Sequence, residues 1–177
     1  EDNTITVGAA TRASVGVMLY GTDPTAILSL DMQANRVKTA AGFYSLGLVL
    51  GGQFSGGVVT LDRYFDSSTV LRNTFVGDAV NPSLATASIL MNAGSNSTET
   101  LIANNFLVSG LASFVSYGVL AQDSQLDLIN NTLVVNSTAV TRAIHIADPA
   151  GGDASQVAII NNIITSKANT GNNQINE

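Results

Sequence analysis

The stretch Leu126-Asp127-Leu128-Ile129-Asn130-Asn131-Thr132-Leu133 sets one asparagine, Asn131, between two apolar positions. Leu128 lies three residues before it and Leu133 two residues after. Asn-x-apolar recurs at Asn3-Thr4-Ile5, Asn35-Arg36-Val37, Asn73-Thr74-Phe75, Asn105-Phe106-Leu107 and Asn162-Ile163-Ile164. Met32, Val70, Ile102 and Ile159 stand three residues before Asn35, Asn73, Asn105 and Asn162. The intervals between the asparagines are 32, 38, 32, 26 and 31 residues. A pattern that survives while its period changes by whole loops is the signature of a solenoid, one coil per repeat.

A second column runs between these segments: Gly16-Val17-Met18-Leu19, Gly47-Leu48-Val49-Leu50, Ser88-Ile89-Leu90-Met91, Gly118-Val119-Leu120-Ala121 and Ala143-Ile144-His145-Ile146. The runs are too short for helices, rich in Val, Ile, Leu and Thr, and alternate with period 2, so they read as strands. Each coil then holds a strand through the second column, a strand ending before the asparagine, a bend, and a strand carrying the apolar residue after it. Stacked coils give long parallel sheets. The inward positions are Val17 and Leu19, Leu48 and Leu50, Ile89 and Met91, Val119 and Ala121, and Ile144 and Ile146. Stacked amides at the inter-strand spacing can hydrogen-bond up the coil, and asparagine tolerates the left-handed backbone of a sharp bend. Asn3, Asn35, Asn73, Asn105, Asn131 and Asn162 are therefore expected to form an internal ladder. Ordinary surface turns are the alternative reading of these residues.

The Leu126–Leu133 stretch and Val157-Ala158-Ile159-Ile160-Asn161-Asn162-Ile163-Ile164 resemble repeats of the right-handed parallel β-helix, the fold of the pectate-lyase-like superfamily. The resemblance implies an all-β chain, a right-handed β-solenoid of about five coils forming a single domain over residues 1–177. The superfamily includes polysaccharide lyases and hydrolases, phage tailspikes and bacterial surface proteins. No catalytic motif of the superfamily is recognisable, so no catalytic residue is assigned.

Composition narrows the remainder. Aromatic residues are 6% of the chain and Trp is absent, as suits a narrow interior. Seven Lys and Arg against a net charge of −6 leave no basic stripe for nucleic acid. The lack of cysteine excludes thiolate metal sites, thiol nucleophiles and disulfides. No apolar run reaches the ~18 residues of a membrane span. Low charge with abundant Asn, Ser, Thr and Gly points to an extracellular or cell-surface location of bacterial or phage type. The start at Glu1 is read as a processed mature chain, a fragment, or one domain of something longer. After Ile164 only Thr165 to Glu177 remains, with no further repeat read there, and neither end shows an amphipathic helix able to cover the coil.

Candidate chemistry lies in the loops. The long insertion at 51–69 concentrates Phe54, Tyr64 and Phe65, and is read either as a local hairpin packed on the coil or as a binding loop. In the second case Asp62, Arg63, Tyr64 and Asp66 are the carbohydrate contacts, since aromatic faces and planar polar groups suit sugars. Asp123 and Asp148 follow the second column at equal offsets, one coil apart at about 4.8 Å per strand step. With Asp153 they form an oxygen set of the kind calcium uses; two solvated loop aspartates is the stronger reading, and no other cofactor is expected. His145, with Arg142 and Asp148 nearby, is the lone candidate base, yet its column neighbours Leu120, Leu90, Val49 and Met18 are apolar.

Two outward columns are apolar where one wet face calls for alternation. Met18, Val49, Leu90 and Leu120 form one; Leu71, Ala103, Ile129 and Ile160 form the other. Exposed patches of this kind mark interfaces, so self-association, side by side or end to end as a fibre, is expected. The functional expectation is a non-enzymatic structural or adhesive surface module. The alternative, carried by the resemblance, is a lyase or hydrolase acting on an extracellular polysaccharide.

Overall fold

The computed structural model describes residues 1–20, 29–55, 58–61, 68–92, 99–122, 124–147, 155–167 and 171–176. The strands are β1 Thr4–Val7, β2 Ala13–Leu19, β3 Asp31–Gln33, β4 Arg36–Thr39, β5 Tyr44–Leu50, β6 Gly52–Ser55, β7 Val58–Leu61, β8 Thr69–Leu71 and β9 Thr74–Val76. They continue as β10 Ser83–Asn92, β11 Thr100–Ala103, β12 Phe106–Gln122, β13 Gln125–Ile129, β14 Thr132–Ser137, β15 Val140–Ala147, β16 Gln156–Ile160, β17 Ile163–Lys167 and β18 Gly171–Asn176. No helix occurs among the described residues, and none is long and apolar enough to cross a membrane.

Among the described residues every pairing is parallel except the β6–β7 hairpin, which lies within the 51–69 insertion. Three stacks of strands surround one core. β16, β13, β11, β8 and β3 form a five-stranded sheet. β1, β4, β9, the first part of β12, β14 and β17 form a second stack. β2, β5, β10, the later part of β12, β15 and β18 form a third, joined to the second through the long β12. This all-β, parallel arrangement is compatible with a β-solenoid.

The inward column aligns as the alternation dictates. Val17, Leu48, Ile89, Val119 and Ile144 are register partners in turn, as are Leu19, Leu50, Met91, Ala121 and Ile146. Met32, Val70, Ile102 and Leu128 close the core from the five-stranded sheet, and Val37, Phe75, Leu107 and Leu133 from the second stack. The glycine that opens several second-column strings makes room for this last row. A Cβ on Gly47 would lie 2.5 Å from the Ser88 carbonyl oxygen and 2.9 Å from Phe75 Cδ1. On Gly118 it would lie 2.4 Å from the Ala143 carbonyl oxygen and 2.8 Å from Leu133 Cδ2.

The asparagine side chains are joined in series. Asn3, Asn35, Asn73, Asn105 and Asn131 each donate from Nδ2 to Oδ1 of the next asparagine, at 3.0, 3.1, 3.2, 3.0 and 3.0 Å. Each also donates its backbone N–H to the same oxygen, at 2.8–3.0 Å. The second Nδ2 hydrogen goes to a backbone carbonyl, which for Asn73, Asn105, Asn131 and Asn162 is that of Met32, Val70, Ile102 and Leu128. Both donors and both lone pairs of an interior amide are thus satisfied, the condition for burying it cheaply.

Two details depart from the sequence reading. The left-handed bend falls one residue earlier than the bonded asparagine: Asp2, Ala34, Arg72, Asn104, Asn130 and Asn161 have φ between 53° and 57°. That residue turns the chain, and the asparagine after it points inward. The other departure is β18, which continues the third stack beyond β15, with Ile175 opposite Ile144. Its sequence, Gly-Asn-Asn-Gln-Ile-Asn, carries one apolar residue, so alternation could not reveal it.

Candidate functional site

The seven residues singled out for ligands, Asp62, Arg63, Tyr64 and Asp66 for carbohydrate and Asp123, Asp148 and Asp153 for calcium, all lie outside the described residues. Among the described residues no three His, Asp or Glu side chains converge on one point.

The outer face of the third stack holds His145 and Arg142. His145 is the register partner of Leu120, and Arg142 that of Tyr117. The His145 ring stacks on Tyr117, with centroids 5.6 Å apart and planes at 30°. The Arg142 guanidinium Nε is buried without a hydrogen-bond partner. This face is not the open apolar column expected there. Val49 is fully buried and Leu90 nearly so, packed with Leu46 and Ala87 against Val15, Tyr44, Tyr117 and Leu120. Only Met18 of that column is exposed. The strand period correctly sends these side chains out of the core, but it carries no information on what covers a sheet's outer face.

The second apolar column lies on the outside of the five-stranded sheet, where Leu71, Ala103, Ile129 and Ile160 are register partners in succession. Ala103 is buried, Leu71 and Ile129 are half-buried, and Ile160 is 46% exposed. Beside this column lies a polar cleft of roughly 190 Å³ lined by Asp31, Ser68, Thr69, Glu99 and Leu101, among others. Asp31 Oδ1 accepts from Gln33 Nε2 and from Thr69 Oγ1, both at 2.9 Å, and Arg72 donates to Gln33 Oε1 at 3.1 Å. The bonds from Gln33 and then Thr69 hold the Asp31 carboxyl below its usual range. A second open cleft, about 300 Å³, is lined by Ala79, Leu111, Asn136, Ser137, Thr138 and Lys167.

A third surface feature escaped the sequence reading. Phe43, Leu84 and Phe114 each stand one residue before a strand position paired with its neighbours: Tyr44, Ala85 and Val115. They project from one corner of successive coils and are 47%, 37% and 63% exposed. The signal was present: each lies five residues before its second-column residue, Leu48, Ile89 or Val119. Also missed was an interior hydroxyl seam. Ser14, Ser45, Thr86, Ser116 and Thr141 are buried register partners. Thr86 and Ser116 hydroxyls are 2.7 Å apart, and Ser109 joins Ser116 at 2.6 Å.

These features can bind and pack, through exposed apolar ridges and through clefts whose linings include the charged side chains Asp31, Glu99 and Lys167. No family model, curated protein or solved structure matches this chain.

Proposed function

We propose that the chain is a right-handed parallel β-helix with an internal asparagine ladder, and that it serves as a rigid, non-enzymatic structural or adhesive module exposed outside the cell or particle that carries it. Parallel strand-to-strand connections are right-handed in nearly all folds, which supports the handedness. The observation that carries the functional reading is the unbroken series of amide hydrogen bonds from Asn3 to Asn162. Such a series fixes each coil on the next, and a stiff rod with partly apolar outer columns suits scaffolding and attachment. The module self-associates; Ile160 and its column neighbours supply apolar area worth several kcal/mol at ~25 cal/mol per Å² before association costs.

The test is a panel of extracellular polysaccharides assayed for both binding and cleavage. Binding or self-association without turnover is expected. Turnover of any glycan, lost on changing His145 or Arg142, would replace this reading with that of a polysaccharide-degrading enzyme.

A further inference from the structure

We infer that a second copy of this chain docks side by side on the first, the acidic outer face of its five-stranded sheet lying against the basic outer face of its neighbour's second stack. This rests on the self-association proposed above and names the two surfaces that meet.

The strand period sends alternate residues outward, and on these two faces the charges are sorted by sign. β1, β4, β9, the first part of β12, β14 and β17 carry Arg36, Lys38 and Lys167 and no Asp or Glu. Three of the chain's seven basic residues thus lie on the second stack, although the net charge is −6. Asp2 and Asp78 stand just outside it, before β1 and after β9, and Lys38 acts on the Asp78 carboxyl. The five-stranded sheet is the reverse. β3 holds Asp31, β13 holds Asp127, Glu99 immediately precedes β11, and none of the five strands contains Lys or Arg. Asp31, Thr69, Leu101 and Asp127 are register partners in one outward column. Arg72 occupies the bend between the two faces, bonded to Gln33.

Both faces set charges apart along the stack and apolar side chains between them. On the basic face Arg36 and Lys38 share β4, Lys167 lies four strand steps on, and Val76, Phe106, Val108 and Val134 fill the interval. On the acidic face Asp31 and Asp127 stand three steps apart, beside Leu71, Ala103 and Ile129. The two spans differ by one strand spacing, about 4.8 Å, which the long lysine and arginine stems can cover. An acid therefore falls opposite each basic end whichever way the two axes run. Arg36 and Lys38 are exposed, Phe106 is 44% exposed, and Leu71 and Asp127 are half-buried. Each of these five belongs to a strand paired on both sides, so its exposure does not come from an end of the stack. Two basic faces, or two acidic ones, would repel. The contact is therefore heterologous, and because each copy presents one face of each sign, assembly can continue past a dimer.

Reversing the charges on each face separately is the test. Arg36→Glu with Lys38→Glu makes both faces acidic; Glu99→Lys with Asp127→Lys makes both basic. Sedimentation velocity of the full chain should show assemblies that dissociate as salt rises, because surface charges are screened beyond about 10 Å at 0.1 M. Each double variant alone should associate about a hundredfold more weakly or worse, since like charges are then brought face to face. Mixed one to one, the two variants should associate again, each offering the other an unaltered face of opposite sign. A misfolded variant would not be rescued in this way. If a double variant loses the circular dichroism spectrum of the unmodified chain, Lys38→Glu and Glu99→Lys, single changes at exposed positions, take their place. Association that neither reversal weakens overturns the face pairing and leaves self-association standing. Weakening without rescue on mixing overturns the pairing as well. A chain that stays monomeric at high concentration overturns both.

Discussion

Replacing Asn105 by leucine probes the interior amide series where it is most enclosed. Asn105 is 2% exposed. Its Oδ1 accepts the Asn73 backbone N–H at 2.8 Å and Asn73 Nδ2 at 3.2 Å, and its Nδ2 donates to the Val70 carbonyl at 2.8 Å and to Asn131 Oδ1 at 3.0 Å. Leucine is close in size, so cavity formation contributes little. It leaves two buried groups without partners: the Asn73 N–H and one Asn73 amide hydrogen. The Val70 carbonyl keeps the Ala103 N–H of the β8–β11 ladder, and Asn131 Oδ1 keeps the Asn105 backbone N–H. Each orphan costs about 1–3 kcal/mol, which puts the loss at roughly 4 kcal/mol. Burying the leucine returns about 2 kcal/mol. The expected net destabilisation is about 2 kcal/mol, read as a shift of the urea midpoint at unchanged slope. Asn3→Leu is the control: Asn3 is exposed and its Oδ1 accepts nothing among the described residues, so its loss should stay below about 1 kcal/mol. Equal costs at the two positions would refute the view that mutual satisfaction of buried amides holds the coils together.

Ala34 and Arg72 occupy the left-handed bend without the freedom of glycine. Ala34→Gly should raise stability by up to about 1 kcal/mol, the left-handed strain relieved less the added entropy of the unfolded chain; a loss on thermal unfolding would count against the strain. Gly47→Ala drives a Cβ toward the Ser88 carbonyl and Phe75, so it should cost about 1–3 kcal/mol in chemical denaturation. Gly8→Ala, with nothing within 4 Å, should be close to neutral. Asp78 accepts hydrogen bonds from the Val80 and Asn81 backbone N–H groups and from the Asn81 side chain, which hold its carboxyl below its usual range. Its contribution is therefore present above the unfolded-state pKa and disappears as pH falls through the lower folded value. NMR titration should place its midpoint below that of the urea-unfolded chain, and an equal or higher midpoint would contradict the turn geometry.

The strand stacks and their register were legible because two local constraints repeat at every coil. A period of two separates inward from outward positions, and an amide at a fixed offset from apolar residues marks the same bend each time. Hence Val17, Leu48, Ile89, Val119 and Ile144 could be aligned without coordinates. Spacing also allowed an amide series from Asn3 to Asn162. It could not place the left-handed residue, because Ala34 and Arg72 have no propensity for that backbone; the coil geometry imposes it there. The hydroxyl seam from Ser14 to Thr141 was invisible for a similar reason: serine and threonine occur throughout this chain, and only stacking tells a buried hydroxyl from a wet one. The outer faces depended most on tertiary structure. Val49 and Ile160 have the same apolar character and both point away from the core, yet one is fully buried and the other is 46% exposed. Alternation along a strand decides which side of a sheet a residue takes, while what lies against that side is set by segments distant in the chain.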